Sequence, residues 1–161
     1  MILPISSHIN LNFDKKKVWS IISKPENLNL VHPFCKKNIV LEWSNKSHKD
    51  SLEYLNGVKL FREFTRWEEE NGYELLIGKK NGDKSKVIWE ITGNEKSKLK
   101  ITIYPHVFRK KNIFQYVFLY FFVLKPGLKK YLNSVLNGYN YYLVNQKAVP
   151  KNHFGHHKWF S

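Results

Sequence analysis

Four turn signals divide residues 52 to 103 into short apolar stretches of similar length. The signals are Asn56-Gly57, Asn71-Gly72, Asn81-Gly82 and Gly93-Asn94. Such dipeptides favour tight hairpins, because Asn and Gly tolerate a left-handed backbone. Between them, apolar and polar residues alternate with the period of two that is typical of half-buried strands. This part of the chain therefore predicts an antiparallel meander rather than βαβ units.

Upstream of the meander, the sequence predicts one further strand and two short helices. Residues 5 to 11 alternate between apolar and polar side chains, which indicates a strand. Asp14 can cap a first short helix, and Pro25 suits the first turn of a second one that must end before Pro33. Alternation resumes from Ile39 to Trp43, where we predict the strand that leads into the meander.

Downstream of Pro105, the apolar period changes from that of a strand to that of a helix. Residues 128 to 143 form an apolar stripe with polar side chains between, which predicts an amphipathic helix of roughly 20 residues and about 30 Å. The preceding run, residues 113 to 124, is apolar nearly all round, and Pro126-Gly127 is expected to interrupt the helix. A half-buried sheet needs a cover, so we expect the sheet to curl around this helix.

These elements predict an α+β fold in which a curved antiparallel sheet of about seven strands wraps a long C-terminal helix. The 161 residues are typical of a single domain, and neither a repeat nor a linker divides them. We therefore expect one domain over residues 1–161, with a core from 3 to 147 and a C-terminal tail from 148 to 161.

Five segments of the sequence resemble one known superfamily, in the order in which they occur there. They are Asp14–Ser23, Pro25–Leu28, His32–Cys35, Val87–Thr92 and Leu128–Leu143. Over residues 3 to 147, the chain resembles the SRPBCC superfamily, whose helix-grip fold is shared by START lipid-binding domains, plant pathogenesis-related pocket proteins and aromatic polyketide cyclases. The resemblance implies a deep pocket between sheet and helix for apolar or amphipathic molecules. It implies no single activity, because members bind, transfer or catalyse.

Aromatic residues of the strands and the long helix are candidates for the lining of this pocket. The predicted ligand-binding residues are Trp43, Tyr54, Phe61, Phe64, Trp89 and Tyr139, joined by His32, Leu132 and Leu136. A solid core needs few tyrosines, because each buried hydroxyl needs a hydrogen-bond partner. A lined cavity therefore fits this set better than the alternative, a filled core. Gly138 indicates a close approach to the helix, either by a ligand or by plain packing.

Catalytic machinery is not evident in the sequence. Neither a glycine-rich phosphate loop nor a nucleophile elbow is present, and Glu63 and Glu90 are lone acids on predicted strands. His32, which we expect near the mouth of the pocket, is the candidate for proton transfer, with Tyr54 as the second.

Metal and cofactor sites are not expected either. The single cysteine, Cys35, leaves no internal disulfide and no cysteine-based zinc site. His153, His156 and His157 could chelate a metal, but no acid or cysteine lies near them in sequence. Residues 1 to 11 lack the basic and apolar regions of a secretory signal, so we expect a cytoplasmic protein.

Positive charge is concentrated in the second half of the chain. The formal net charge is +14, and residues 96 to 161 contain 12 basic side chains and no carboxylate. This asymmetry favours an anionic partner, either a membrane surface or nucleic acid. The lysine-rich bias of an AT-rich genome would give the same total charge, but it explains the missing carboxylates less well. Nucleic acid is the weaker candidate, because no known binding motif is present.

The apolar run from residue 113 to 124 is bracketed by six basic residues. They are Arg109, Lys110 and Lys111 before the run and Lys125, Lys129 and Lys130 after it. The run is too short to span a bilayer, which needs about 20 residues, but it suits a helix in the interface of an anionic membrane. Residues 109–130 are therefore a candidate for peripheral membrane docking. Burial within the domain or in a homodimer is the alternative.

Two functions stay open at the level of the sequence. The first is binding or carriage of a hydrophobic or lipid-like small molecule in an internal pocket, at a membrane surface or away from it. The second is a pocket enzyme of the polyketide cyclase or dehydratase type, in which His32 or Tyr54 would transfer a proton.

Overall fold

The structure is a computed structural model that describes residues 3–107 and 111–161. Its strands are β1 (Ile5–Leu11), β2 (Cys35–Trp43), β3 (His48–Tyr54), β4 (Lys59–Glu68), β5 (Gly72–Gly78), β6 (Lys84–Gly93) and β7 (Ser97–Tyr104). They form one antiparallel sheet in the order β1-β7-β6-β5-β4-β3-β2. The predicted seven-stranded meander is therefore confirmed, with β1 closing beside β7.

Two short helices separate β1 from β2, and a long helical stretch follows β7. They are α1 (Lys15–Ile22) and α2 (Leu28–Val31) after β1, then α3 (Ile113–Leu119), a π-helical segment (Tyr120–Leu124) and α4 (Lys125–Asn145) after β7. The two predicted short helices and the long C-terminal helix are confirmed. Asp14 caps α1 as expected, because its carboxylate accepts the Lys17 N–H at 2.7 Å.

The turn at Asn71-Gly72 shows why the hairpin signals are reliable. Gly72 has a φ of +135°, and a Cβ atom there would lie 1.9 Å from the carbonyl oxygen of Trp89 on the neighbouring strand. No residue with a side chain fits this position without moving the backbone of β6.

The expected interruption at Pro126-Gly127 is wrong. Pro126 lies in the first turn of α4, where the missing N–H of proline is tolerated, and the helical backbone continues from Ile113 to Asn145. The irregularity lies one turn earlier, in the π-helical segment from Tyr120 to Leu124. Wide turns of this kind accommodate a local defect in the hydrogen-bond ladder without ending the helix.

Gly138 serves the packing of α4 rather than the lining of a cavity. A Cβ atom at this position would lie 2.0 Å from the carbonyl oxygen of Val31 and 3.2 Å from the ring of Pro33. The glycine therefore lets α4 cross the end of α2 at backbone contact distance. Of the two alternatives from the sequence, plain close packing is the one that the structure shows.

Curvature brings the inner face of the sheet around α4. Register shifts occur in β2 and between Phe64 and Arg66 of β4, and irregularities of this kind bend strands. On this inner face, fully buried residues such as Leu75, Leu99 and Ile101 face Leu132 of α4 in one hydrophobic core. The core is not filled everywhere, and the space that it leaves is described next.

Candidate functional site

A cavity of about 450 Å³ lies between the sheet and the long helix. Protein interiors normally contain few voids larger than a water molecule, and ligand pockets typically measure about 300 to 1,000 Å³. Aliphatic side chains line most of it, among them Leu75, Val87, Ile101 and Ile103 of the sheet and Leu128 and Val135 of α4. The cavity therefore has the size and the surface of a site for an apolar molecule.

The pairing of β3 with β4 places the polar residues of this cavity. Leu52 pairs with Leu60, and Asp50 pairs with Arg62. Side chains alternate along a strand, so these four residues share the inner face. Tyr54, two residues beyond Leu52, lies on the same face and lines the cavity together with Arg62.

Four of the nine predicted ligand-binding residues line the cavity. These four are His32, Tyr54, Trp89 and Leu132. The other five, Trp43, Phe61, Phe64, Leu136 and Tyr139, do not belong to its lining. Their positions differ for three separate reasons.

Phe61 lies on the opposite face of β4. It pairs with Ser51, whereas its neighbours Leu60 and Arg62 line the cavity. Both faces of β4 carry apolar residues, so the sequence pattern alone did not indicate which face points inward.

Trp43 and Phe64 belong to a separate aromatic cluster. Their ring centroids lie 5.5 Å apart, and both contact Trp67, at 5.8 and 5.5 Å respectively. Trp19 joins the cluster edge-on to Trp67, at 5.2 Å. These rings fill one another's space in edge-to-face pairs and leave no room for a ligand between them.

Leu136 and Tyr139 are buried one to two turns further along α4 than the lining residue Leu132. The hydroxyl of Tyr139 accepts a hydrogen bond from Nδ2 of Asn27 at 3.2 Å, and its ring packs against Trp89 with 5.2 Å between centroids. Tyr139 therefore packs against Trp89 without lining the cavity itself.

His32 lies inside the protein. The sequence predicted it near the mouth of the pocket. It is 3 % exposed, and both ring nitrogens make hydrogen bonds. Nδ1 accepts the N–H of Phe34 at 3.2 Å, and Nε2 lies 2.9 Å from the hydroxyl oxygen of Tyr131. Burial, aided by the charge of Arg62, lowers the pKa of His32 to about 3, so the ring is neutral near pH 7.

A buried ion pair forms the other polar feature of the cavity. Nε of Arg62 donates to one carboxylate oxygen of Asp50 at 2.7 Å, and Nη2 donates to the other oxygen. The two side chains are 6 % and 0 % exposed. Burial alone would favour the neutral form, but the charge and hydrogen bonds of Asp50 outweigh it and raise the pKa of Arg62. The guanidinium of Arg62 therefore stays charged inside the protein.

The segment from residue 148 to 161, predicted to be a tail, closes one side of the cavity. The ring of Phe160 lies 4.5 Å from those of Tyr54 and Tyr131, centroid to centroid. Trp159 also lines the cavity, and its indole occupies the space where Gly127 of α4 lacks a side chain. The sequence signal for this contact was an aromatic pair beyond the last helix.

The segment is fixed by hydrogen bonds as well as by packing. Its Val149 N–H donates to the carbonyl oxygen of Leu30 at 2.8 Å, and Nδ2 of Asn56 donates to that of Trp159 at 2.8 Å. The first bond ties the segment to α2 and the second to the turn after β3. It therefore forms a wall of the cavity, a role that sequence periodicity does not reveal.

Two valines mark the part of the cavity lining that is nearest to the protein surface. Val107 and Val123, the most exposed of its lining residues, are 39 % and 38 % accessible. Beside them, Oγ of Ser85 lies 2.8 Å from Nδ1 of His106. This region, between the end of β7 and the π-helical segment, is where the cavity comes closest to solvent.

Several solved structures are similar in fold to this protein. No family model matches the sequence, and no curated protein does. The solved structure of TTHA0849 from Thermus thermophilus matches with 15 % identity and a TM-score of 0.70, over 89 % of this chain and 99 % of its own. A START superfamily protein from Mycobacterium smegmatis matches over the same shares, with 15 % identity and a TM-score of 0.65. The di-domain ARO/CYC protein BexL, from the BE-7585A biosynthetic pathway, matches with 7 % identity and a TM-score of 0.68, over 89 % of this chain and 48 % of BexL.

The chain shares the helix-grip fold of these solved structures. The resemblance that the five sequence segments indicate is thereby confirmed at the level of the fold. Sequence identities of 7 to 15 % support a shared fold and not a shared ligand or activity. The ligand of this helix-grip protein must be argued from its own cavity and surface.

One surface of this helix-grip protein is strongly apolar. Phe114, Phe118 and Phe122 are 85 %, 60 % and 70 % exposed, and Ile113 and Phe121 are each half exposed. We refer to these five residues as the aromatic face. Of the alternatives for residues 113 to 124, full burial within the domain is the one that the structure contradicts, because only Tyr116, Tyr120 and Leu124 of the run are buried.

Basic residues surround the aromatic face. Lys111, Lys125 and Lys129 are exposed, and Nζ of Lys125 lies 5.2 Å from the centroid of the Phe121 ring. Arg109 and Lys110, which also belong to the predicted docking segment, lie outside the described residues. Within residues 3–107 and 111–161, no helix combines the length and the apolar character needed to cross a bilayer.

The three histidines near the C-terminal end do not come together. His157 is buried and bonds the carbonyl oxygen of Gly127 at 3.0 Å, whereas His153 packs against Tyr141 and His156 is exposed. Among the described residues, no group of three or more His, Cys, Asp or Glu side chains could hold a metal ion.

Proposed function

We propose that this protein binds and carries an apolar small molecule with one polar end in the cavity between its sheet and α4. The observation that carries the proposal is the cavity itself: about 450 Å³, lined mainly by aliphatic and aromatic side chains. Water molecules are poorly stabilised in such a space, because few polar groups there can form hydrogen bonds with them. An apolar ligand would bury its surface and would replace the packing contacts that the cavity lacks.

A cavity-filling substitution tests this proposal. Leu132 lines the cavity and is 1 % exposed, so Leu132→Trp should occupy part of the ligand space. We expect the wild-type chain to bind one naphthalene sulfonate probe per molecule and the variant to bind it at least tenfold more weakly. Val144→Trp is the matched control, because Val144 is an exposed residue on the same helix.

Thermal unfolding distinguishes a filled cavity from a damaged fold. Leu132→Trp should unfold cooperatively with a midpoint close to that of the wild type, because filling a cavity offsets the strain of a larger side chain. Probe binding that persists in a folded Leu132→Trp protein would show that the ligand does not occupy this cavity.

The geometry favours carriage over proton-transfer catalysis by His32. A general base near pH 7 needs a pKa near the working pH and a free nitrogen. His32 has a pKa of about 3, and its two nitrogens are engaged by Phe34 and Tyr131. We therefore assign His32 a positioning role toward Tyr131. In an assay of cyclisation or dehydration, a 100-fold rate loss on His32→Ala with unchanged ligand affinity would count against this assignment.

We further propose that the aromatic face docks on an anionic membrane. Its exposed rings lie among exposed lysines, and residues 96 to 161 contain no carboxylate that would repel acidic lipids. Val123 and Leu124 of the same helical stretch line the cavity, so docking would bring the cavity's most exposed side to the bilayer. An apolar ligand could then pass between membrane and cavity without crossing water.

Sedimentation with liposomes tests the docking. We expect binding to vesicles that contain phosphatidylserine, little binding to phosphatidylcholine alone, and weaker binding above 0.1 M salt, where the Debye length falls below about 10 Å. Phe118→Asp and Lys125→Glu should each weaken it, the latter by about 1 kcal/mol. Val144→Asp, an exposed apolar residue away from the aromatic face, should not. A stable dimer that ignores vesicles and separates on Phe118→Asp would assign the face to a second copy instead.

A further inference from the structure

The polar groups in the cavity form a hydrogen-bonded chain that begins at a backbone amide. Phe34 donates its backbone N–H to Nδ1 of His32 at 3.2 Å, so this nitrogen carries no hydrogen. A neutral imidazole has one N–H, which must then be on Nε2. Nε2 therefore donates to the hydroxyl oxygen of Tyr131, 2.9 Å away. One backbone amide thus determines the tautomer of the ring.

The hydrogen bond continues to a second tyrosine. The oxygen of Tyr131 accepts from His32 and lies 3.0 Å from the hydroxyl oxygen of Tyr54, so one of these two hydroxyls donates to the other. Both directions satisfy the Tyr131 oxygen, because a hydroxyl oxygen has two acceptor lone pairs. In either direction one hydroxyl hydrogen of the Tyr54–Tyr131 pair is left over, and the described residues offer no acceptor for it.

A buried donor without an acceptor costs about 1 to 3 kcal/mol, so such groups are normally satisfied. Tyr54 is 1 % exposed, and both tyrosines line the cavity. We propose that the Tyr54–Tyr131 pair donates a hydrogen bond to a carbonyl-type oxygen of the ligand. This inference rests on the proposed function and specifies the polar end of the ligand.

Arg62 strengthens the preference for an acceptor. Its guanidinium has five N–H groups, and Asp50 accepts from two nitrogens, Nε and Nη2. Arg62 lines the same cavity as Tyr54, and Asp50 balances its charge, so the N–H groups that Asp50 does not engage act as hydrogen-bond donors. The polar side of the cavity therefore presents hydrogen-bond donors. An apolar ketone, aldehyde, ester or carboxylic acid fits it, and an amine does not.

A pair of ligands with the same shape isolates this hydrogen bond. 2-Acetylnaphthalene carries a carbonyl oxygen where 2-isopropenylnaphthalene carries a CH₂ group. Calorimetric titration of the full chain should show the ketone bound about two- to tenfold more tightly, since one such bond contributes about 0.5 to 1.5 kcal/mol. The double variant Tyr54→Phe/Tyr131→Phe should abolish this preference and leave the affinity for the hydrocarbon within about twofold. Tyr142→Phe, on α4 and outside the cavity lining, should keep the preference.

The outcomes separate this inference from the proposed function. If the wild type binds both naphthalenes equally, or if the folded double variant retains the preference, the tyrosine pair is not the donor although the cavity binds. If neither compound binds, the proposed function fails and this inference fails with it. The comparison within the wild type needs no variant, so poor folding of the double variant would not prevent a decision.

Discussion

The ion pair between Asp50 and Arg62 offers a sharp test of the energetics of this cavity. Arg62→Met removes the guanidinium and leaves the Asp50 carboxylate, which is 0 % exposed, without its partner. Asp50→Leu leaves the buried guanidinium in the same situation. Breaking a buried pair on one side typically costs about 3 to 5 kcal/mol, because an uncompensated charge stays in a medium of low polarity.

The double variant should recover most of this loss. Replacing both partners by apolar residues of similar volume removes the desolvation penalty of two ions and is often neutral, or stabilising by about 1 to 4 kcal/mol. Asp50→Leu/Arg62→Met should therefore be at least as stable as the wild type.

Urea unfolding followed by tryptophan fluorescence measures these free energies. With a slope of about 2 kcal/mol/M, each single variant should lower the midpoint by about 1.5 to 2.5 M. The salt bridge between Lys100 and Glu90, whose side chains are 42 % and 43 % exposed, provides the control. Lys100→Met should change the free energy of unfolding by less than about 1 kcal/mol. A double variant no more stable than the weaker single variant would refute the argument that desolvation dominates this pair.

Three further predictions concern buried groups. Burial lowers the pKa of His32 from 6.5 to about 3, so only the unfolded chain takes up that proton between these values. Stability should fall by about 1.4 kcal/mol per pH unit as the pH drops through this window, and unfolding curves of His32→Gln should lack that part of the slope; equal slopes would contradict it. Burial raises the pKa of the Cys35 thiol to about 11, so Ellman's reagent should label it only as fast as the chain unfolds, and rapid labelling of the native protein would disprove this. A Cβ atom at Gly127 would lie 2.3 Å from the indole of Trp159, so Gly127→Ala should displace the segment from 148 to 161, lower stability by about 1 to 3 kcal/mol and shift tryptophan fluorescence to longer wavelength; unchanged spectra and stability would contradict it.

The architecture was accessible from the sequence because its signals are local. Turn dipeptides such as Asn71-Gly72 and the cap at Asp14 act over a few residues, and the order of the elements then leaves few topologies. Pro126 misled for the same reason. Its local effect ends a helix in isolation, but the preceding π-helical segment absorbs it here.

The cavity was less accessible, because its lining depends on which face of each element turns inward. Phe61 and Arg62 are adjacent in sequence, and only the pairing with β3 shows that Arg62 faces the cavity. Hydrophobicity favours the phenylalanine, so the charged residue was overlooked. Phe160 was missed because it follows the last helix and reaches Tyr54 across more than 100 residues of chain. Contacts over such separations leave no periodic signal in a single sequence.

The π-helical segment makes the orientation of the aromatic face depend on a single residue of chain length. Each residue of an α-helix advances the side-chain direction by about 100°, since 3.6 residues complete a turn. A wide turn holds one residue more than an α-helical turn, so the residues before it are rotated by about that angle relative to a regular continuation of α4. Deleting one residue within 120–124 would restore the regular ladder. It would also turn Phe118 away from its present direction while α4 stayed in place. The outward direction of Phe114 and Phe118 thus depends on the one extra residue in the π-helical turn.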